Sequence, residues 1–332
     1  MARTLYLFKS GELKRNNNTL KFVSKEESVV YPIYQIRAIY VFGEITVNKR
    51  LLSFLNSHGV TVCFFNYYGN YIGSFFPAFK RNGNVLIQQV NCLQDTYLRN
   101  TLISEFLLTQ FDNQLSLLKY YRKKGEDLDD WIAEIEVQKS KFLLLDRDED
   151  FRDRALLYEA RIKQLYYHAL DIVLLNTDFS FEARSMHPPL NEVNALLSFG
   201  YSLLYSDFLA AIHQTPLCSQ ISFIHSCSKA EDSLKFDLAD MFKSVFVDRL
   251  VLRIIRKGWI SKDHFTFGDG CFLNEEGKKL FIREYDAFLE KTKIDSRNEQ
   301  YYSNRNLLVH ECNNIVHYIC DQKEYVGYRM GW

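Results

Sequence analysis

Asp237 and Asp240 stand three residues apart in the segment LKFDLADMFKSVFVDRLVLRII, which opens at Leu234. Read as one helix starting near Ser233, a suitable N-cap residue, the segment carries both carboxylates on one face, one turn apart. Continuing that stripe adds Ser244 and Asp248, while the other faces carry Phe236, Leu238, Met241, Phe242, Val245 and Phe246. A helix apolar nearly all round is buried. Its carboxylates must then face cations, be protonated, or bind a metal ion.

His225 closes the apolar run ISFI and precedes the polar loop SCSKAEDS, which leads back to that helix. The loop can return the imidazole to the turn bearing Asp237 and Asp240. A third acid, Glu159, sits in LLYEARIKQLYYH among Leu156, Leu157, Ile162 and Leu165. Carboxylates with an imidazole are donors suited to a divalent ion. Each residue also has an ordinary reading. His225 fits a hydrogen-bonded core histidine, Glu159 fits an ion pair with Arg161 or Lys163, and the aspartates fit partners of an arginine. Spacing alone leaves these alternatives open.

The elements that must position these residues divide into two. RTLYLF, TLKFV, SVVYPI, IRAIYVFG and VTVCFFN are short runs rich in β-branched and aromatic residues, separated by turn material such as KSGELKRNNN and SKEE. NKRLLSFLNSHG has helical spacing and a terminal glycine. YYGNYIGSFFPAFKRNGN reads as a loop and linker. Beyond it, apolar residues recur at three and four over long spans, and GEDLDDW and LLLDRDEDFRD read as solvated acidic connectors. The expected fold is α+β: a small β-rich domain over 1–84 with one short helix, suited to dimerisation or DNA contact, then a larger, mainly α-helical catalytic domain over 85–332.

Composition narrows the function. The 332 residues carry 41 basic and 41 acidic side chains, yet residues 1–84 hold eleven basic and four acidic ones, a net +7. The remainder is correspondingly acidic, so a basic module precedes an acidic one. The seven cysteines form no C-x-x-C pair, which argues against a disulfide framework or a cysteine zinc site. No apolar run approaches the roughly 18 residues of a membrane helix, and the N-terminus lacks a signal-peptide pattern. A soluble, cytoplasmic chain without membrane partners is expected.

Five segments in order also resemble a known family. They are YEARIKQLYY (158–167), PPLNEVNALLSFGYSLLY (188–205), SFIH (222–225), DLADMFK (237–243) and VDR (247–249). Together with the opening RTLYLFKSGELKRNNNTLKF they resemble the CRISPR-associated Cas1 integrases, in a type I-B-like branch. Ser222 stands where that family commonly has glycine, and PLCS (216–219) replaces a more usual acidic element. The resemblance implies metal-dependent nicking of DNA and integration of short DNA into a repeat array. It implies a homodimer acting on double-stranded and branched DNA with the small partner protein Cas2. Carried over by position, Glu159, His225 and Asp240 would bind one Mg2+ or Mn2+, with Asp237 supporting the site.

Such chemistry needs cations for the phosphate backbone. Arg161, Lys163, Arg184, Lys243 and Arg249 lie close to the motifs in sequence, and Arg253, Arg256 and Lys257 extend the basic character. Two other readings keep the same residues: a DNA-binding scaffold without chemistry, and a structure-selective nuclease unrelated to integration.

Overall fold

The polar run GELKRN, expected to be turn material, is a strand. In the computed structural model, which describes residues 3–78, 82–227 and 232–331, it forms β2 (Gly11–Asn16). Leu13 is its one buried apolar side chain and lies opposite Phe22 of β3 (Thr19–Val23). The charged residues occupy the other positions, so composition hid a strand that only pairing reveals. Asn17, at φ 52°, makes the turn between them, a backbone region that asparagine tolerates.

The chain divides into two compact units, Met1–Lys80 and Arg81–Trp332. In the first, β1 (Arg3–Leu7), β5 (Ile36–Val41), β7 (Thr61–Phe65) and β8 (Tyr71–Phe75) form one sheet in that order. A second sheet runs β4 (Ser28–Pro32), β3, β2, β6 (Ile45–Thr46). Helix α1 (Lys49–Ser57), capped by the Asn48 side chain, contributes Leu51, Phe54 and Leu55 to a core shared with both sheets. Strand β8 corrects the linker reading of YYGNYIGSFFPAFKRNGN, since Phe75 pairs with Val62 across the sheet. Residues 79–81 of that stretch lie outside the described residues.

The second unit is mainly helical, as expected. Its helices are α2 (Gly83–Gln94), α3 (Thr96–Arg122), α4 (Asp129–Leu143), α5 (Phe151–Leu174) and α6 (Glu192–His213). There follow α7 (Leu234–Lys243), α8 (Arg249–Arg256), α9 (Glu275–Leu289) and α10 (Asn304–Asp321). Two small hairpins accompany them, β9–β10 (Phe265–Phe267 with Cys271–Leu273) and β11–β12 (Thr292–Asp295 with Gln300–Ser303). Asn113 of α3 ties the middle together: its amide donates to the carbonyls of Met241 and Tyr328 at 2.8 and 2.9 Å. Its own oxygen accepts from Met330 N at 2.9 Å, fixing the C-terminal tail on α3.

Helix α6 corrects another expectation. By length and composition it could cross a membrane, but 78% of its most apolar 18-residue window is buried within the protein. Gly200 lets α6 approach its neighbours, because a Cβ there would lie 2.4 Å from Val247 and 2.7 Å from Phe281.

The segment read as one helix from Ser233 is a continuous rod with an irregular middle. Between α7 and α8, residues Ser244–Asp248 adopt a π-helix, whose wider turn rotates everything after it. Ser233 does not cap α7. Its backbone is already helical at φ −61° and its hydroxyl bonds Ser222 instead.

Candidate active site

Asp237 and Asp240 leave α7 on adjacent turns and do different work. The Asp237 carboxylate, which is buried, accepts four hydrogen bonds from residues 223–225. Oδ2 takes the backbone N–H groups of Phe223 and Ile224 at 2.6 and 3.0 Å. Oδ1 takes the backbone N–H of His225 at 3.0 Å and its Nδ1 at 2.6 Å. A carboxylate acceptor places the ring proton on Nδ1, which leaves Nε2 with the lone pair. Burial alone would lower the His225 pKa, but the bonds to Asp237 and the charge of Asp240 outweigh it and raise the value. Arg152 of α5 fixes the same loop by donating to the Ile224 carbonyl from Nε and Nη2, at 2.8 and 2.5 Å. Ser222, in the family's glycine position, donates to the His225 carbonyl at 2.7 Å.

Asp240 faces α5. Its Oδ2 lies 3.0 Å from Lys163 Nζ, and the same ammonium pairs with Glu159 one turn earlier on α5. Carboxylates from two helices therefore converge on one cation. Lys243 Nζ is 2.5 Å from the other Asp240 oxygen, although that buried Oδ1 receives no well-directed hydrogen bond. Burial would push the Asp240 carboxyl up, but Lys163 and Lys243 overcome it and hold the group far below the usual carboxylate range. Gln110 of α3 completes the surroundings, its amide 3.4 Å from Glu159 Oε1.

Behind this cluster Asp248 is buried and accepts from two tyrosines, Tyr166 at 2.8 Å and Tyr201 at 2.6 Å. The π-helix turns Asp248 into this pocket. The Lys243 ammonium also lies over the rings of Tyr201 and Tyr205, at 4.8 and 5.1 Å from their centroids, an attraction that steadies it against Asp240.

The candidate ligands thus fall into a carboxylate pair and a separately anchored imidazole. Among the described residues no three His, Cys, Asp or Glu side chains form a ready metal cage. The donor set nevertheless fits a hard divalent ion: Glu159 and Asp240 already share a positive charge, and one oxygen of Asp240 is without a directed donor. The ordinary reading of Glu159 as the partner of Lys163 is also present in this arrangement, whereas Asp240 meets Lys163 and Lys243, and Asp237 the residues 223–225, in place of the arginine expected for them.

The basic residues have distinct settings. Lys163 and Lys243 face inward onto the carboxylates. Arg184 donates to Asn194 Oδ1 at 2.9 Å and Ser198 Oγ at 3.0 Å. Arg161 is exposed. Arg249 is half-buried beside Met330, 3.4 Å from its Sδ. Arg152, Gln110, Tyr166 and Tyr201 were not legible as site residues, because each reaches a partner far away in sequence. The i,i+4 spacing of Glu159 and Lys163 and the i,i+3 spacing of Asp240 and Lys243 were the available signals for ion pairing.

A strand-rich unit preceding a helical unit, in which Glu159 and Asp240 share Lys163 between α5 and α7 while Asp237 of α7 holds His225, defines a recognisable class of protein. A family model described as CRISPR associated protein Cas1 matches residues 5–287. The CRISPR-associated endonuclease Cas1 2 of Thermodesulfovibrio yellowstonii is 35% identical over 334 residues, covering all of both chains. The CRISPR-associated endonuclease Cas1 of Clostridium perfringens is 31% identical over 337 residues with the same coverage. A solved Cas1 protein from Thermotoga maritima superposes with a TM-score of 0.85 at 30% identity, covering 99% of this chain and 100% of that one. A casposase bound to integration product shares the fold at 19% identity, with a TM-score of 0.82 and coverage of 98% and 92%. The chain belongs to the CRISPR-associated Cas1 family.

Proposed function

We propose that this Cas1-family chain is a DNA endonuclease and integrase, dependent on Mg2+ or Mn2+, that inserts short DNA into a CRISPR repeat array. It acts as a homodimer on double-stranded and branched DNA, with a small Cas2 protein as partner. The relatives' names as endonucleases support the hydrolytic half of this reading. The fold shared with a casposase and with a chain of a Cas6-RT-Cas1–Cas2 complex supports the integrating half. One observation carries it: Glu159 and Asp240 converge on a single cation from two helices, beside an imidazole fixed by Asp237.

Glu159, Asp240 and His225 Nε2 would hold the ion, which when bound polarises a phosphate and activates a water or 3′-hydroxyl nucleophile. The chain's own residues prepare that chemistry. Asp237 orients the imidazole and keeps its proton on Nδ1. Lys163 and Lys243 keep Asp240 ionised and bring positive charge to where a phosphodiester must sit. Arg161, Arg184 and Arg249 serve as further phosphate contacts.

The test is cleavage and strand transfer on a branched, labelled DNA with Mg2+, Mn2+ or EDTA, for wild type, Glu159→Gln and His225→Ala. Metal-dependent turnover lost in both variants is the expected result. Turnover unchanged by both substitutions would place the chemistry elsewhere. A second reading, a DNA-binding scaffold without chemistry, is favoured by the ammonium partners that already neutralise both carboxylates. It predicts tight DNA binding with no turnover in any metal.

A further inference from the structure

Away from the α5–α7 site, on the opposite stretch of the rod, a small cavity of about 90 Å3 opens between the π-helical segment, α8, the end of α9 and β11. Its walls are Val245, Phe246, Leu250 and Phe288, and its polar lining consists of Arg249, Arg253, Lys291 and Lys293. Four cations and no carboxylate line it. Among the described residues no acidic side chain lies within ion-pairing distance of Arg253, Lys291 or Lys293; the pairs made by arginines and lysines elsewhere involve other residues.

Gathering like charges around a low-dielectric pocket is costly unless an anion completes it. Burial, with the charges of Arg249 and Lys291 added, pushes the Lys293 ammonium down to about 8. Burial likewise lowers the pKa of Arg249, with Arg253 contributing to the same effect. Arg253 is held in place with its guanidinium 4.9 Å from the Trp259 ring centroid. The volume exceeds several times the roughly 10–15 Å3 that one water requires, so a tetrahedral oxyanion fits.

We propose that this cavity is a phosphate-binding site, distinct from the carboxylate centre, in which Arg253, Lys291 and Lys293 receive one phosphate group. The group is either a backbone phosphate of bound DNA or a free phosphate ion. The site stands on its own geometry and does not depend on metal chemistry at Glu159 and Asp240.

The experiment titrates the full chain with inorganic phosphate at constant ionic strength, reading thermal stability, and separately with a labelled short duplex, reading anisotropy. Wild type is compared with Lys293→Met and Lys291→Met, which remove charge while keeping the aliphatic stems. The expected result is a phosphate-dependent rise in Tm in wild type that both variants lose, with Tm in the absence of phosphate held or raised. If the occupant is DNA, each variant also weakens duplex binding about three- to tenfold and reduces the log–log salt slope by about one. If it is free phosphate, duplex binding stays unchanged while the Tm response is lost. A wild-type Tm indifferent to phosphate, together with unaltered duplex affinity in both variants, overturns the proposal. So does a phosphate response that both variants retain.

Discussion

Asp237 Oδ1 holds His225 twice, through the backbone N–H at 3.0 Å and through Nδ1 at 2.6 Å. Position and protonation of the imidazole therefore depend on one carboxylate of a neighbouring element. The substitution Asp237→Asn keeps an acceptor but removes the charge, and should lower metal-dependent cleavage about 10–100-fold. Asp237→Ala goes further, because it strands the N–H groups of Phe223, Ile224 and His225. A loss of about 3 kcal/mol or more in chemical denaturation is expected. Wild-type stability in the alanine variant would show that the loop does not depend on this acid.

Lys163 joins Glu159 to Asp240 across two helices. Lys163→Met leaves Asp240 with Lys243 and takes from Glu159 its ammonium partner, and should cost about 3 kcal/mol in metal-free protein. A divalent ion that binds between the same acids should then restore more stability to the variant than it adds to wild type. Differential scanning fluorimetry with Mn2+ against EDTA reads this difference. Equal Mn2+ responses in the two proteins would argue that the acids do not share a metal.

Asp248 relies on two phenols. Removing either, as Tyr166→Phe or Tyr201→Phe, should cost about 1.5–3 kcal/mol, since each bond goes to a buried acid. Burial raises the Asp248 pKa, and the two phenols oppose that rise. With one phenol gone the carboxyl protonates more readily, so the second loss should cost less. A double-mutant cycle with strictly additive costs would contradict this coupling.

Acid stability should report on the hairpin β11–β12. Burial pushes the Asp295 carboxyl up, but its bonds from Arg297 at 2.7–3.1 Å outweigh that and lower it. A lowered acid stabilises the fold fully above its unfolded value near 3.9, and that contribution disappears as pH falls through the folded value. Asp295→Asn should therefore be less stable than wild type at pH 7, by about 1–3 kcal/mol because Arg297 keeps Glu311 as a partner, with the gap narrowing below pH 4. Denaturation midpoints across that range give the answer. A gap that widened on acidification would reverse the sign assigned to this pair.

Much of the architecture was legible from local pattern. Strands such as TLKFV and VTVCFFN, helix α1 and the long helices after residue 85 have the periodicities their structures display. Strand β2 was not, because its single buried Leu13 gains meaning only opposite Phe22. The apolar run of α6 is a core helix by its packing, which composition alone does not record.

By itself the sequence determined which donor types lie on which helices: Glu159 with Lys163 one turn on, and Asp240 with Lys243 beside it. Those are relations of helical period, set by chain spacing within a few residues. Only the tertiary structure decided which of the two aspartates meets the histidine and which meets α5. That choice depends on residues 223–225 presenting their N–H groups to Asp237, and on Arg152 holding the Ile224 carbonyl from 72 residues away. The π-helical turn likewise sends Asp248 to two tyrosines rather than onto the stripe of Asp237 and Asp240, a rotation that no uniform helical period contains.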